Sequence, residues 1–223
     1  MKTIWCLFDG SGIAGLPWAQ AGYRVFCFNA DDANHGEYEI KMQHKNLHYV
    51  NCWIDDSFID EAFLYGDPSL IISFPDCTAM SCSSSKHERE DEVVNESVAL
   101  AKIAKQLGDM YGCPWVVENP VGKLCTKWMK PNVYIDPYEF GGYMSGFEPS
   151  FHPKMPSRDG YTKITGLWFG NGFVMPEKRP VPHCGFFWGW KFLGGKGTRT
   201  KQLRSLTPRG LARAIFEANK DLK

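Results

Sequence analysis

Five short apolar runs divide the first 120 residues, and each ends in a turn residue or an acid. They are Ile4 to Phe8, Arg24 to Asn29, His48 to Trp53, Leu70 to Phe74 and Trp115 to Glu118. Runs of this length, separated by stretches that suit helices, predict a parallel sheet with helices on its faces. Between the fourth and fifth runs, Leu100, Ile103, Leu107 and Met110 recur at helical spacing, which predicts a helix from about Asp91 to Met110. After Pro120 the texture changes to glycine, proline and aromatic residues. Only Asn132 to Ile135 and Thr165 to Phe169 read there as strands. A last helix is expected from Thr207 as N-cap and Pro208 as first helical residue, through Leu211, Ile215 and Ala218. At 223 residues the chain suits one domain, with room for a small appendage.

The apolar run that follows Lys2 is halted by Asp9, shorter than a secretory signal or a membrane span requires. The expectation is a soluble protein of the cytoplasm with no membrane partner. Eight cysteines lie far apart with no CxxC pair, and His44 and His48, alone at helical spacing, include one that begins a strand. No metal is expected, and the thiols are read as reduced and mostly structural. The net charge is zero overall but −10 for residues 1–120 and +10 for residues 121–223. Lys191, Lys196, Arg199, Lys201, Arg204, Arg209 and Arg213 run without an acid just after Phe186, Phe187, Trp188, Trp190 and Phe192. Cations for phosphates beside rings for bases suit a nucleic-acid surface; a solvated basic face beside a core strand is the plainer alternative.

Phe8-Asp9-Gly10-Ser11-Gly12 follows the first strand and opens a helix. Glycines there permit a tight turn, and the helix-start amides are expected to face an anionic group. Asp31 and Asp32 follow the second strand, where an acid binds ribose hydroxyls; Asp55 and Asp56 follow the third. Cys77 stands just past the fourth strand, in a loop too polar for a core, where a nucleophile is useful. Glu118 arrives at the same sheet edge from the fifth strand, placed to handle a proton beside that thiol.

Jointly, Phe8-x-Gly10-x-Gly12, Phe74-Pro75-Asp76-Cys77-Thr78, Glu118-Asn119-Pro120-Val121-Gly122, Thr165-Gly166-Leu167-Trp168 and the closing Arg204 to Ala214 stretch resemble the DNA cytosine-5 methyltransferases. The likeness extends to the short phage and prophage-encoded DNA methylases of that superfamily. It implies a Rossmann-like α/β fold for S-adenosylmethionine-dependent methyl transfer, with a mostly parallel sheet and a small, irregular C-terminal recognition region. Residues 1–141 would form the catalytic core, 142–203 a reduced target-recognition region, and 204–223 a helix packing back on the core. It implies DNA as partner and a phage-infected or prophage-bearing bacterial host. By position, Cys77, Glu118, Asn119 and Lys163 are the implied catalytic set. Phe8, Asp9, Gly10, Ser11, Gly12, Asp31, Asp55 and Phe74 would surround S-adenosylmethionine, and Ser81, Ser83, Lys86, Lys196, Arg199, Lys201 and Arg204 would touch nucleic acid.

The chain departs from the family pattern in three ways. Asp76, where most members have proline, precedes the cysteine; Tyr161-Thr162-Lys163 is the nearest counterpart of a missing Gln-x-Arg-x-Arg element; and only about residues 142–200 remain for reading sequence. Modification of a nucleotide, RNA or unusual base, and an inactive cofactor or nucleic-acid binder, stay open beside the DNA methylase reading.

Overall fold

The first apolar run becomes the centre of the sheet. In the computed structural model, which describes residues 1–80 and 91–221, β1 is Thr3–Leu7 and all five of its residues are buried. The other strands are β2 (Arg24–Asn29), β3 (Leu47–Asn51), β4 (Pro68–Ser73), β5 (Trp115–Pro120), β6 (Val133–Ile135) and β7 (Thr165–Gly170). Helices are α1 (Leu16–Gln20), α2 (Asp56–Glu61), α3 (Asp91–Tyr111), α4 (Leu124–Lys127), α5 (Trp188–Phe192), α6 (Thr198–Ser205) and α7 (Arg209–Asn219). The strand order is β3-β2-β1-β4-β5-β7-β6. The first five strands are parallel, and β7 is inserted antiparallel between β5 and β6. The expected strands form with ends shifted by a residue or two, the usual scatter of element boundaries.

Alternation along β1 builds two cores at once. Ile4 and Cys6 pack under Trp18 of α1 and Leu211, Ala214 and Ile215 of α7. Trp5 and Leu7 face the other way, toward Phe58 of α2 and Val98, Ala101 and Leu107 of α3. The Trp5 ring meets Phe28, Phe58 and Tyr111 edge-on at 5.3–6.5 Å, geometry that aromatic quadrupoles favour. A third, smaller cluster joins Ile13 and Tyr38 to Tyr161, Phe187, Trp188, Leu203 and Leu206. It seats α5 and α6 against the turn that follows β1.

Within the stretch 142–203, residues Thr165–Gly170 are β7, hydrogen-bonded on both sides within the sheet. One expectation needs correction: Thr207 does not cap the last helix. Pro208 holds the N-cap position without a side-chain bond, and the Gly210 amide donates instead to Oδ2 of buried Asp159 at 2.9 Å. A carboxylate brought from 51 residues away thus does the capping, and it lies on the positive side of the helix dipole.

That same helix end rests on backbone. A Cβ at Gly210 would lie 2.4 Å from the Phe140 carbonyl oxygen and 2.8 Å from its carbon. Helix propensity alone favours alanine over glycine by about 1 kcal/mol. Gly210→Ala is nevertheless expected to lose about 1–3 kcal/mol, because α7 must lift from the 140–141 backbone. Thermal melting checks the sign.

Candidate functional site

Strand order reverses between β1 and β4, so the carboxyl ends of these two strands open the crevice where sheets of this kind take ligands. The turn after β1 is built by Asp9, which is 3% exposed. Its Oδ1 accepts from Ser11 Oγ and from the Gly12 amide, both at 2.8 Å, and its Oδ2 from the Ala14 amide at 3.1 Å. The Ile13 amide donates to Ser11 Oγ at 3.3 Å. The expectation of free amides facing an anion is therefore corrected. Asp9 and Ser11 take these donors, and Asp9 shapes the turn. Burial raises the Asp9 carboxyl, opposed by these hydrogen bonds.

The glycines serve close packing. A Cβ at Gly10 would fall 2.3 Å from the Tyr38 ring, and one at Gly12, at φ +71°, the same distance from the Tyr49 hydroxyl. That hydroxyl lies 2.9 Å from the carbonyls of Ser11 and Met42. Phe8 at the strand end takes φ +60°, a strained conformation for a side chain of its size.

At the ends of β2 and β3 stand Asp31 and Asp55. Asp31 Oδ1 accepts from Asn29 Nδ2 at 3.3 Å, while its own amide donates to Asn51. Asp55 is the N-cap of α2, its Oδ1 accepting from Ser57 Oγ at 2.6 Å and from the Phe58 and Ser57 amides, and these bonds, that from Ser57 Oγ foremost, hold its carboxyl below the usual range. Each carboxylate keeps a second oxygen that none of these bonds uses. Two acceptors at adjacent strand ends, beside a strained turn, fit the ribose and base of a nucleoside ligand.

Cys77 follows β4, partly buried. Burial pushes its thiol up to about 11; the nearby Lys163 ammonium pulls the other way, and Asp76 and Glu118 add to the rise. Asp76 is engaged by its own turn, Oδ1 accepting from the Thr78 amide at 2.9 Å and from Thr78 Oγ1 at 2.6 Å. Glu118, near the end of β5, is raised by burial and lowered by the same Lys163 and by Thr165. Lys163 is held through its amide, which donates to Asp136 at 2.6 Å, and through Nζ, which donates to the Arg204 carbonyl at 3.3 Å. Asn119 is fully buried, and its Nδ2 donates to the Pro75 carbonyl at 3.0 Å, tying β5 to the cysteine loop. Its Oδ1 has no partner among the described residues. Phe74 continues the ladder, its amide donating to Leu7. Opposite substitutions should move the thiol in opposite directions. Asp76→Asn is expected to speed alkylation of Cys77 by iodoacetamide at pH 8, and Lys163→Gln to slow it, each by about 3- to 10-fold. Mass spectrometry of the Cys77 peptide reads both.

Of the expected nucleic-acid contacts, Ser81, Ser83 and Lys86 lie outside the described residues. Lys196 is exposed. Arg199 pairs with Glu39 at 3.0 Å and Lys201 donates to the Asn34 carbonyl at 3.0 Å, so both hold α6 to the segment after β2. Arg204 lies along Gly189 of α5. The sequence reading missed Gln202, which is 2% exposed. It accepts from the Glu39 amide and donates to the carbonyls of His35 and Glu37. It also missed Tyr38, whose hydroxyl lies 2.8 Å from Ser205 Oγ while its ring covers Gly10. Among the described residues, Cys6, Asp9 and Cys27 form the one trio of metal-type donor atoms within 4.8 Å. The turn already engages the Asp9 carboxylate, and burial pushes the Cys27 thiol well up. No helix among the described residues is long and apolar enough to cross a membrane.

The architecture is a Rossmann-like α/β fold with a seven-stranded, mostly parallel sheet. No protein-family model and no curated protein matches the sequence. Among solved structures, the chain resembles a candidate DNA modification methyltransferase encoded within an E. coli prophage. Identity is 14% over 82% of this chain and 53% of that one, with a TM-score of 0.50. At that identity the likeness shows a shared fold, and the chain spans about half the length of its neighbour. Spodoptera frugiperda DNMT2, as a triple mutant, aligns at 13% identity over 84% of this chain and 55% of that one, with a TM-score of 0.41, too low to add weight.

Proposed function

We propose that the chain transfers the methyl group of S-adenosylmethionine to carbon 5 of cytosine in DNA through a covalent Cys77 adduct. The observation that carries this reading is the meeting of Cys77, Glu118 and Lys163 at the carboxyl edge of the sheet, beside the Asp9 turn. Attack of a thiolate on carbon 6 forms an S–C6 bond and pushes electron density to carbon 5. Glu118, raised by burial, gives a proton to ring nitrogen 3 as that density builds. Lys163 opposes burial at both groups and so favours the thiolate. Held at the turn after β1, S-adenosylmethionine would supply an electrophilic methyl group, with S-adenosylhomocysteine as the by-product. Loss of the carbon 5 proton to solvent then expels the Cys77 thiolate, and nitrogen 3 returns its proton to Glu118. Asp31 and Asp55 are the residues for ribose and adenine, with Phe8, Gly10, Ser11, Gly12 and Phe74 lining the approach. The fold shared with the prophage methyltransferase supports the same reading.

One feature favours a second reading, an inactive binder: the thiol sits near 11 with Asp76 beside it. Incubating the protein with unmethylated bacterial DNA and labelled S-adenosylmethionine, then digesting to nucleosides for mass spectrometry, separates the two. Label in 5-methylcytosine is the expected result. Cofactor binding without labelled product, from native and heat-denatured DNA alike, would argue for the inactive binder or for a substrate other than DNA.

A further inference from the structure

We propose that the surface formed by Trp190, Lys191, Phe192 and Lys154 seats an unpaired DNA strand next to the target base. This inference rests on the cytosine-methylating reading and narrows its substrate to strands whose bases are already open. Residues 178–216 carry nine lysines and arginines and no acid. Within that stretch, Trp190 is 60% and Phe192 is 40% exposed, large rings turned to solvent in the most cationic part of the chain.

The surface connects directly to the candidate catalytic groups. Lys163, which acts on Cys77 and Glu118, holds its ammonium 5.3 Å from the Phe187 ring. The Phe187 ring in turn lies 5.6 Å from Trp190, perpendicular to it. Beyond Trp190, the Lys191 ammonium sits 5.4 Å from the Phe192 ring, and that of Lys154 lies 5.7 Å from the same ring. A strand leaving the site along this line meets a ring for a base and ammonium groups for its phosphates. Every base offers a π-face to such a ring, but only when it is unstacked.

A duplex fits this surface poorly. Its bases present edges in the grooves, and reading them takes a helix or ribbon free to enter. Here α5 has five residues, with Trp188 and Gly189 buried, and α6 has eight, with Gln202 and Leu203 buried. Of the three cations of α6, Arg199 and Lys201 are engaged with Glu39 and Asn34.

Fluorescence anisotropy on the full chain tests the proposal. The probes are a labelled 20-nucleotide cytosine-containing DNA strand, the same strand annealed to its complement, and the RNA of the same sequence. Unpaired DNA is expected to bind at least about tenfold tighter than the duplex. Trp190→Ala should lose about 5- to 100-fold of that affinity, the loss of one base stack, and Trp190→Phe should regain most of it. Calorimetry with S-adenosylmethionine should give the same affinity for wild type and Trp190→Ala, which shows that the variant is folded. Equal binding of strand and duplex, or no loss in Trp190→Ala, overturns the proposal, as does tighter binding of the RNA. Methylation of duplex DNA that is indifferent to Trp190→Ala would sink this inference and leave the proposed activity standing. Trp190-dependent binding of the strand, without 5-methylcytosine, would sink the activity and leave the surface standing.

Discussion

Cys77→Ala is expected to lower methyl transfer by about 10⁴-fold or more while leaving S-adenosylmethionine affinity within about twofold of wild type. The two readouts separate because Cys77 lies after β4, whereas the turn that would hold the cofactor is fixed by Asp9 and Ser11 after β1. Cys77→Ser should fail as completely, since a hydroxyl ionises far less readily than a thiol. The wild-type pH profile carries the same information. With the thiol pushed up to about 11, only roughly one molecule in a thousand is thiolate at pH 8, and that fraction grows about tenfold per pH unit. Raising the pH deprotonates the nucleophile, so the rate at which iodoacetamide alkylates Cys77 should climb with a slope near one from pH 7 to 9. A flat profile over that range would mean that the thiol is already ionised. Residual transfer by Cys77→Ala at a tenth of wild type would move the nucleophile elsewhere.

The central strands β1, β4 and β5 were legible because each is an apolar run largely buried on both faces in the parallel part of the sheet, a pattern that needs no partner to recognise. Leu100, Ile103 and Leu107 announced α3 for a similar reason: one helical face meets the core. What stayed hidden came from partners far away in the chain. Gln202 reads as one polar residue in a basic run, and only the fold shows its amide holding backbone 163 to 167 residues distant. Asp159, in Ser157-Arg158-Asp159-Gly160, reads as a turn, yet it is fully buried and caps α7. The candidate site was half legible. Spacing brought Cys77 and Glu118 to one sheet edge, and the family resemblance suggested Lys163, which acts on both. Asp9 was noticed in its turn but not as the residue that builds it, because sequence marks an acid beside glycines without telling which way its oxygens point.

Asp9→Ala should be among the most destabilising single changes in the chain. Three donors in a buried turn, Ser11 Oγ and the amides of Gly12 and Ala14, lose their acceptor together. Each costs about 1–3 kcal/mol if left unpaired. Partial relaxation and water entry bring the expected net loss to about 3–5 kcal/mol, a large share of the roughly 5–15 kcal/mol that holds a domain folded. The melting temperature should fall by about 10 °C. Asp9→Asn keeps one carbonyl oxygen but places an amide group opposite donors, so it should recover less than half of that loss. The turn is also a support for its neighbours: the Tyr49 hydroxyl lies 2.9 Å from the Ser11 carbonyl, and the Tyr38 ring lies against Gly10. S-adenosylmethionine affinity, measured at a temperature where Asp9→Ala is still folded, should therefore fall by more than tenfold. A variant that melts early but binds the cofactor as wild type would show that Asp9 serves the fold alone, and the cofactor would then have to be sought away from this turn.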